Sequence, residues 1–129
     1  IADVITSADA VIGAVLVTGA RAPHVITAEM VRTMQRGRVI VDISVDQGGC
    51  VETTKPTTYD APTYVWEGVT HFAVTNMPGA VPRTSSQALS AAIAPYASRL
   101  AESGWRDDAG LARGINIDAG KVVHPALMS

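Results

Sequence analysis

One acidic residue stands where a carboxylate could take part in chemistry. Asp46 follows a run of apolar, β-branched residues and is closely followed by Gly48 and Gly49. Glycines let the main chain approach a ligand closely, so Asp46 could stabilise a developing cation or help to move a proton. The alternative is an Asp that binds the amides of its own turn, which is a common arrangement. Asp42, within the same apolar run, needs partners if it is buried, and a structural role is favoured for it.

Asp46 lies at the end of a predicted strand, and this position is where a ligand-binding residue is expected in an α/β sheet. In open α/β sheets, ligands bind in the crevice outside the carboxyl ends of the strands. The sequence predicts three such ends, at 15–16, 43–46 and 74–77, and each leads into a turn that contains glycine. Asn76, at the third end, could bind a ligand amide or a ribose hydroxyl, or it could only stabilise the turn before Pro78.

A strand, a helix and a second strand must hold the first two of these ends. The continuous apolar run 10–16 predicts a strand buried on both faces, as in a parallel sheet. Residues 27–35 predict a short helix with Thr27 as its N-cap and Gly37 just beyond its end. Residues 38–43 predict a second buried strand. Together these elements form a βαβ unit with a right-handed crossover.

The remaining elements follow a long loop at 47–62. Short strands at 64–66 and 71–75, with Glu67-Gly68 between them, predict a hairpin. A long helix is then expected from an N-cap at Thr84 to about Ser103, with Gly104 as its stop and Pro95 inside it. Residues 114–123 predict one further hairpin.

Composition excludes several classes of function. A net charge of −2 without a basic cluster argues against nucleic acid and anionic membranes. No apolar run approaches the ~20 residues of a membrane span. Cys50 has no second cysteine to pair with and no positively charged leader is visible, so we expect a cytoplasmic protein. His24, His71 and His124 are widely separated, so no metal site is predicted. The sequence contains neither G-x-G-x-x-G nor a Walker motif, so the residue patterns alone name no substrate.

Five segments of the sequence resemble the alanine dehydrogenase family. The most specific of them contains the run Asp46-Gln47-Gly48-Gly49-Cys50. The α subunit of the proton-pumping transhydrogenase is similar here but usually has Glu before Gln-Gly, a difference that favours alanine dehydrogenase. The resemblance covers nearly the whole chain up to Trp105 and weakens in the tail. The segments are 8–17, 19–23, 39–50, 55–58 and 76–85.

The resemblance implies an α/β fold, part of a Rossmann-type, doubly wound parallel sheet followed by a long helix that leads back to a substrate domain. It assigns residues 1–83 to the C-terminal part of an NAD-binding domain. Residues 84–129 are assigned to the connecting helix and the C-terminal part of the substrate domain. The implied reaction is the NAD-dependent, reversible oxidative deamination of L-alanine to pyruvate and ammonia. A homo-oligomer, a hexamer in the family, is implied as well, without nucleic acid or membrane partners.

The resemblance also implies roles for individual residues. Asp46 matches the catalytic aspartate, and no residue matches a metal ligand. Nothing in this sequence matches the family's catalytic histidine, its pyruvate-binding arginine and lysine, its glycine fingerprint or its ribose-binding aspartate. We therefore expect the isolated chain to be inactive. A transhydrogenase α subunit and a non-catalytic α/β interaction domain stay open as alternatives. The residues that match cofactor contacts are Val15, Leu16, Ile43, Ser44, Val45, Asp46, Val74, Thr75, Asn76 and Met77.

Overall fold

Four strands form the sheet that organises the first part of the chain. The computed structural model describes residues 1–128. The strands are β1 (Ala10–Gly13), β2 (Val39–Asp42), β3 (Thr63–Trp66) and β4 (Val69–Phe72). Their order in the sheet is β1-β2-β4-β3. The first two neighbours pair in parallel and the last two are antiparallel. The predicted α/β class with a parallel sheet is therefore confirmed.

The strand register brings the three predicted strand ends to one edge of the sheet. Gly13 at the end of β1 lies opposite Asp42 at the end of β2. Val41 in β2 lies opposite Phe72 at the end of β4. The segments that follow these strands therefore leave the sheet side by side, as the sequence predicted.

The crossover between β1 and β2 contains a shorter helix than predicted. Helix α1 (Ala2–Ile5) precedes β1, and α2 (Ala28–Arg32) lies in the crossover. Thr27 is the N-cap of α2 and accepts a hydrogen bond from the Met30 amide, as predicted. The helix ends before residue 35 because the Thr33 hydroxyl donates to the Met30 carbonyl at 2.7 Å and competes for the helical acceptor.

The core of this unit lies on one face of the sheet. Val11 packs on the core, whereas Ile12 points to the opposite face and is 67% exposed. The strand ends at Gly13 instead of the predicted residue 16, and within residues 1–128 only one of its faces is covered. Within the described residues, β1 lies at one edge of the sheet. The buried apolar cluster consists of Ile5, Ala22, Ile26, Val31, Met34, Ile40, Cys50, Val51 and Val69.

The predicted hairpin is confirmed, with shifted boundaries. Glu67 and Gly68 connect β3 to β4 with φ values of 50° and 84°. Positive φ at both central residues matches the right-handed twist of the strands. β4 ends at Phe72 instead of residue 75, because the following residues pair with the preceding loop. The Thr57 amide donates to the Ala73 carbonyl at 2.9 Å.

Residues from Pro78 onward form a second compact unit, and residues 1–77 form the first. Helix α3 (Pro82–Leu100) begins two residues before the predicted cap at Thr84, because proline is well tolerated in the first turn, where its missing N–H has no helical partner. The predicted stop at Gly104 is also wrong. Gly104, at φ 83°, instead begins a short 3-10 turn.

The rest of this unit contains a short helix and a hairpin. Helix α4 (Ala109–Arg113) is capped by the Asp108 side chain. Strands β5 (Ile117–Asp118) and β6 (Lys121–Val122) form the predicted C-terminal hairpin. Within the described residues, no helix combines the length and apolarity needed to cross a membrane.

Candidate active site

Asp46 lies in a tight turn that follows β2 directly. The sequence predicted a strand to residue 43 and then a turn that contains glycine; the strand ends at Asp42, and residues Ile43–Gln47 form a 3-10 helix. This turn ends at Gly48, whose φ of 93° favours glycine. The turn presents the Asp46 side chain to solvent at the carboxyl edge of the sheet.

Asp42 holds this turn in place from beneath. Its side chain is 1% exposed, so its carboxylate needs hydrogen-bond partners. The carboxylate accepts from the amides of Ser44 at 3.0 Å, Cys50 at 2.9 Å and Val51 at 3.1 Å. It also accepts from the Thr54 hydroxyl. These partners fit the structural role that was favoured for Asp42.

Asp46 connects the second strand end to the third. Both carboxylate oxygens of Asp46 lie 3.3 Å from the main-chain nitrogen of Asn76. Asn76 has a φ of 51°, in the left-handed region that Asn tolerates better than most residues. Two residues chosen from sequence for their chemistry are thus in direct contact, through the Asn76 main chain.

Ser44 connects the second strand end to the first. Its hydroxyl donates to the Val15 carbonyl at 2.9 Å. A cleft of about 220 Å³ opens beside this contact. Pockets for whole small ligands usually measure about 300–1,000 Å³, so this cleft could hold only part of a larger ligand. The cleft is lined by Ala14, Val15, Leu16, Ile43, Ser44 and Gln47.

The other predicted contact residues differ in what they can offer to a ligand. Val45 and Val74 are buried, so a ligand at the strand ends could meet only their main-chain groups. Thr75 is exposed and Met77 is half-buried, and both lie next to Asn76.

In the part of the chain that the structure describes, Gln47 leaves one unpaired acceptor at the cleft, and Gly49 fixes the path of the turn beside Asp42. The Gln47 Oε1 atom is buried and has no hydrogen-bond partner within the described residues, which leaves an acceptor at the cleft for an incoming donor. Gly49 has a φ of 81°, and a Cβ there would lie 2.8 Å from Thr54 Cγ2 and 3.0 Å from Asp42 Oδ2. A larger residue would therefore push the glycine turn away from the strand end.

A buried histidine network next to this region was not predicted from sequence. Since the His71 Nδ1 atom donates to the Val69 carbonyl at 3.1 Å, Nε2 accepts from the Thr53 hydroxyl at 2.8 Å. The ring stacks on Tyr64, with 5.0 Å between ring centres. Burial lowers the pKa of His71, so the ring is neutral at physiological pH. The alternation along β4 could have indicated that His71 faces inward, but its partners are distant in sequence.

Neither the Cys50 thiol nor the cavity in the second unit suggests a reactive group. Burial raises the pKa of the Cys50 thiol, which keeps it protonated and unreactive. A second cavity, of about 630 Å³, lies in the second unit, and its charged groups Arg99 and Asp108 are paired with each other. Among residues 1–128, no three His, Cys, Asp or Glu side chains are grouped to bind a metal ion.

Comparison with known proteins gives this geometry a family context. The family described as alanine dehydrogenase/PNT, C-terminal domain, matches residues 1–125. Alanine dehydrogenase from Halomonas elongata is 50% identical over 129 aligned positions, which cover 97% of this chain and 35% of that protein. Alanine dehydrogenase from Staphylococcus haemolyticus is 52% identical, covering 96% of this chain and 35% of that protein.

Solved structures agree with these relatives. A structure of L-alanine dehydrogenase matches 98% of this chain and 36% of its own, with a TM-score of 0.77 and 49% identity. A transhydrogenase from Sinorhizobium meliloti matches 97% of this chain and 34% of its own, with a TM-score of 0.73 and 27% identity. The chain spans about 35% of the length of the curated relatives it matches. It belongs to the alanine dehydrogenase/PNT C-terminal domain family.

Proposed function

We propose that this chain is the C-terminal part of an NAD-dependent L-alanine dehydrogenase. The enzyme would convert L-alanine, NAD⁺ and water to pyruvate, ammonium and NADH, with release of one proton. The observation that carries this proposal is the position of Asp46. It lies exposed at the point where the second and third strand ends meet, in contact with Asn76.

The two parts of the chain would serve different domains. Residues 1–83 would complete the cofactor domain, and residues 84–129 would contribute the connecting helix and part of the substrate domain. The relatives named alanine dehydrogenase, at about 50% identity, support the kind of enzyme, and the division of the chain into two compact units after Met77 supports a two-part assignment.

The strand-end residues would hold the cofactor. Val15, Leu16, Ile43 and Ser44 line the cleft and would contact it directly, while Val45 and Val74 would offer main-chain groups. Thr75, Asn76 and Met77 would flank the nicotinamide end. When bound, NAD⁺ supplies the oxidant for the substrate Cα–H bond.

Asp46 would act on the substrate. Oxidation of the amine places positive charge on the substrate nitrogen, and a carboxylate near that nitrogen stabilises it. The same carboxylate would accept a proton from the water that attacks the iminium carbon. Asp46 suits both tasks, because it is exposed and its hydrogen bonds to the Asn76 amide are long.

Two alternatives predict different activities. A transhydrogenase α subunit would transfer reducing equivalents between two nicotinamide cofactors, and the structural match to a transhydrogenase supports considering it. A non-catalytic α/β domain would do neither. This chain has Asp at position 46, where the transhydrogenase usually has Glu, and this difference favours the dehydrogenase. We further propose a cytoplasmic homo-oligomer, a hexamer, that acts on small molecules.

The test is an activity assay of the full-length protein. NADH formation from L-alanine and NAD⁺, and NADH consumption with pyruvate and ammonium, are expected. The isolated chain of 129 residues serves as a control and should stay at background. Transfer between two nicotinamide cofactors without alanine-dependent turnover would instead establish the transhydrogenase. Absence of both activities, with no NAD binding, would favour the non-catalytic domain.

A further inference from the structure

We propose that Asp42 is the positioning residue for Asp46. This inference rests on the proposed function, in which Asp46 acts on the substrate. Asp42 ends β2, four positions before Asp46, and is almost completely buried. Its carboxylate joins the two sides of the segment that carries Asp46.

The hydrogen bonds of Asp42 enclose the Asp46 turn. One oxygen, Oδ1, accepts from the Ser44 amide, before Asp46 in the chain, and also from the Cys50 thiol at 3.5 Å. The other, Oδ2, accepts from the amides of Cys50 and Val51 and from the Thr54 hydroxyl, all after Asp46. The chain therefore leaves the strand, forms the turn and returns to the same carboxylate. A carboxylate accepts from all of these donors through two oxygens, whereas an amide has only one acceptor oxygen and an apolar group has none.

Asp46 itself has few contacts that would fix its position. It is exposed, and its contacts to the Asn76 amide are long, at 3.3 Å. Its geometry therefore depends on the turn, and the turn depends on Asp42. A misplacement of about 1 Å at a reacting group can lower turnover by about a hundredfold.

Gly49 makes the enclosure possible. Its positive φ and its lack of a side chain let the returning main chain pass beside Asp42 Oδ2. The pair Asp42 and Gly49 thus explains why a glycine turn and an internal aspartate occur together around Asp46. If Asp42 contributed only to general stability, it would not need to enclose this particular turn or to lie so close to Asp46.

The experiment removes one donor from Asp42 and leaves the others in place. Replacement of Asp42 itself would leave several buried donors unpaired and could prevent folding. Thr54→Val in the full-length enzyme removes only the hydroxyl, and Thr54→Ser retains it. Thr53→Val is the matched control, because the adjacent Thr53 hydroxyl binds His71 instead of Asp42.

We expect Thr54→Val to lower kcat about tenfold with little change in KM for alanine. Thr54→Ser should restore kcat to within about threefold, and Thr53→Val should stay within about twofold of wild type. Equal losses of kcat in Thr53→Val and Thr54→Val would overturn the positioning role.

A double-mutant cycle separates positioning from general stability. If Thr54 acts through Asp42 on Asp46, Thr54→Val should change kcat by less than about twofold when Asp46 is already Asn. The same tenfold loss in both backgrounds would overturn the proposal while leaving the proposed function intact. A wild-type kcat for Asp46→Asn alone would overturn the catalytic role of Asp46 itself, and the two failures are thereby distinguished.

Discussion

The carboxylate of Asp46 lies 3.3 Å from the main-chain nitrogen of Asn76, thirty positions along the chain. This contact joins the ends of two parallel strands. It uses the Asn76 main chain, so the Asn76 side-chain amide remains available for a ligand. The Asp46 carboxylate would then face the bound substrate, and the Asn76 side-chain amide would face the bound cofactor.

Replacement of Asp46 by Asn should lower turnover far more than it weakens cofactor binding. The change keeps the shape of the side chain but removes the negative charge that, in the proposed function, faces the developing cation. We expect kcat of the full-length enzyme to fall about a hundredfold or more, with the Kd for NAD changed only a few-fold. Steady-state kinetics and calorimetric titration measure the two quantities. Asp60→Asn, at an exposed position, is the control; near-normal turnover in Asp46→Asn would contradict the assignment.

Two variants of Asn76 should separate its side chain from its main chain. Asn76→Gly removes the amide and tolerates the positive φ, whereas Asn76→Ala also strains the main chain by about 1–2 kcal/mol. Loss of one hydrogen bond is worth about 1 kcal/mol, so both should bind NAD several-fold more weakly. The melting temperature should fall only in Asn76→Ala. Unchanged NAD affinity in Asn76→Gly would show that Asn76 only builds the turn.

The buried His71 should make stability depend on pH. Burial lowers its pKa below the ordinary value of 6.5, against weaker opposing effects of the Val69 carbonyl and Asp42. The unfolded chain therefore binds a proton first on acidification. The stabilisation is complete above pH 6.5 and is lost as the pH falls toward the folded-state pKa.

His71→Phe provides the comparison. Phe keeps a ring beside Tyr64 but cannot titrate, so its melting temperature should fall less steeply with pH than that of wild type. Thermal denaturation of the full-length protein across about pH 5 to 8 measures both slopes. Parallel slopes would show that other groups set the pH dependence.

Gly13 should not tolerate even a methyl group. A Cβ there would overlap Cys50 Sγ and lie 3.4 Å from Asp42 Oδ1. Gly13→Ala should therefore destabilise the protein by about 1–3 kcal/mol, as overpacking commonly does. Cys50→Ala removes the sulfur, so the double variant should recover part of the lost melting temperature. Additive losses in the double variant would place the strain elsewhere.

The local features of the fold could be predicted from the sequence, whereas side-chain contacts between distant residues could not. Thr27 as a helix cap and the Glu67-Gly68 turn follow from short-range chemistry, and the convergence of strand ends follows from the topology of a parallel sheet. The burial of β1 could not be predicted, because an apolar run is the same whether one face or both are covered. The His71 network and the donors around Asp42 join residues that are far apart in sequence, and no local pattern reveals such pairs.

The strand order of the sheet has a consequence for the sequence of folding events. β3 and β4 meet across a two-residue turn, and such hairpins form within about 1–10 μs. β1 and β2 pair only after a long crossover has closed, because Ala10 meets Val39. We expect pulse-labelled hydrogen exchange to find the amides that pair β3 with β4 protected before those of Cys50 and Val51. The turn that carries Asp46 would thus be among the last parts to order. During folding, this edge of the sheet would therefore remain unstructured and accessible to a chaperone after the hairpin has formed.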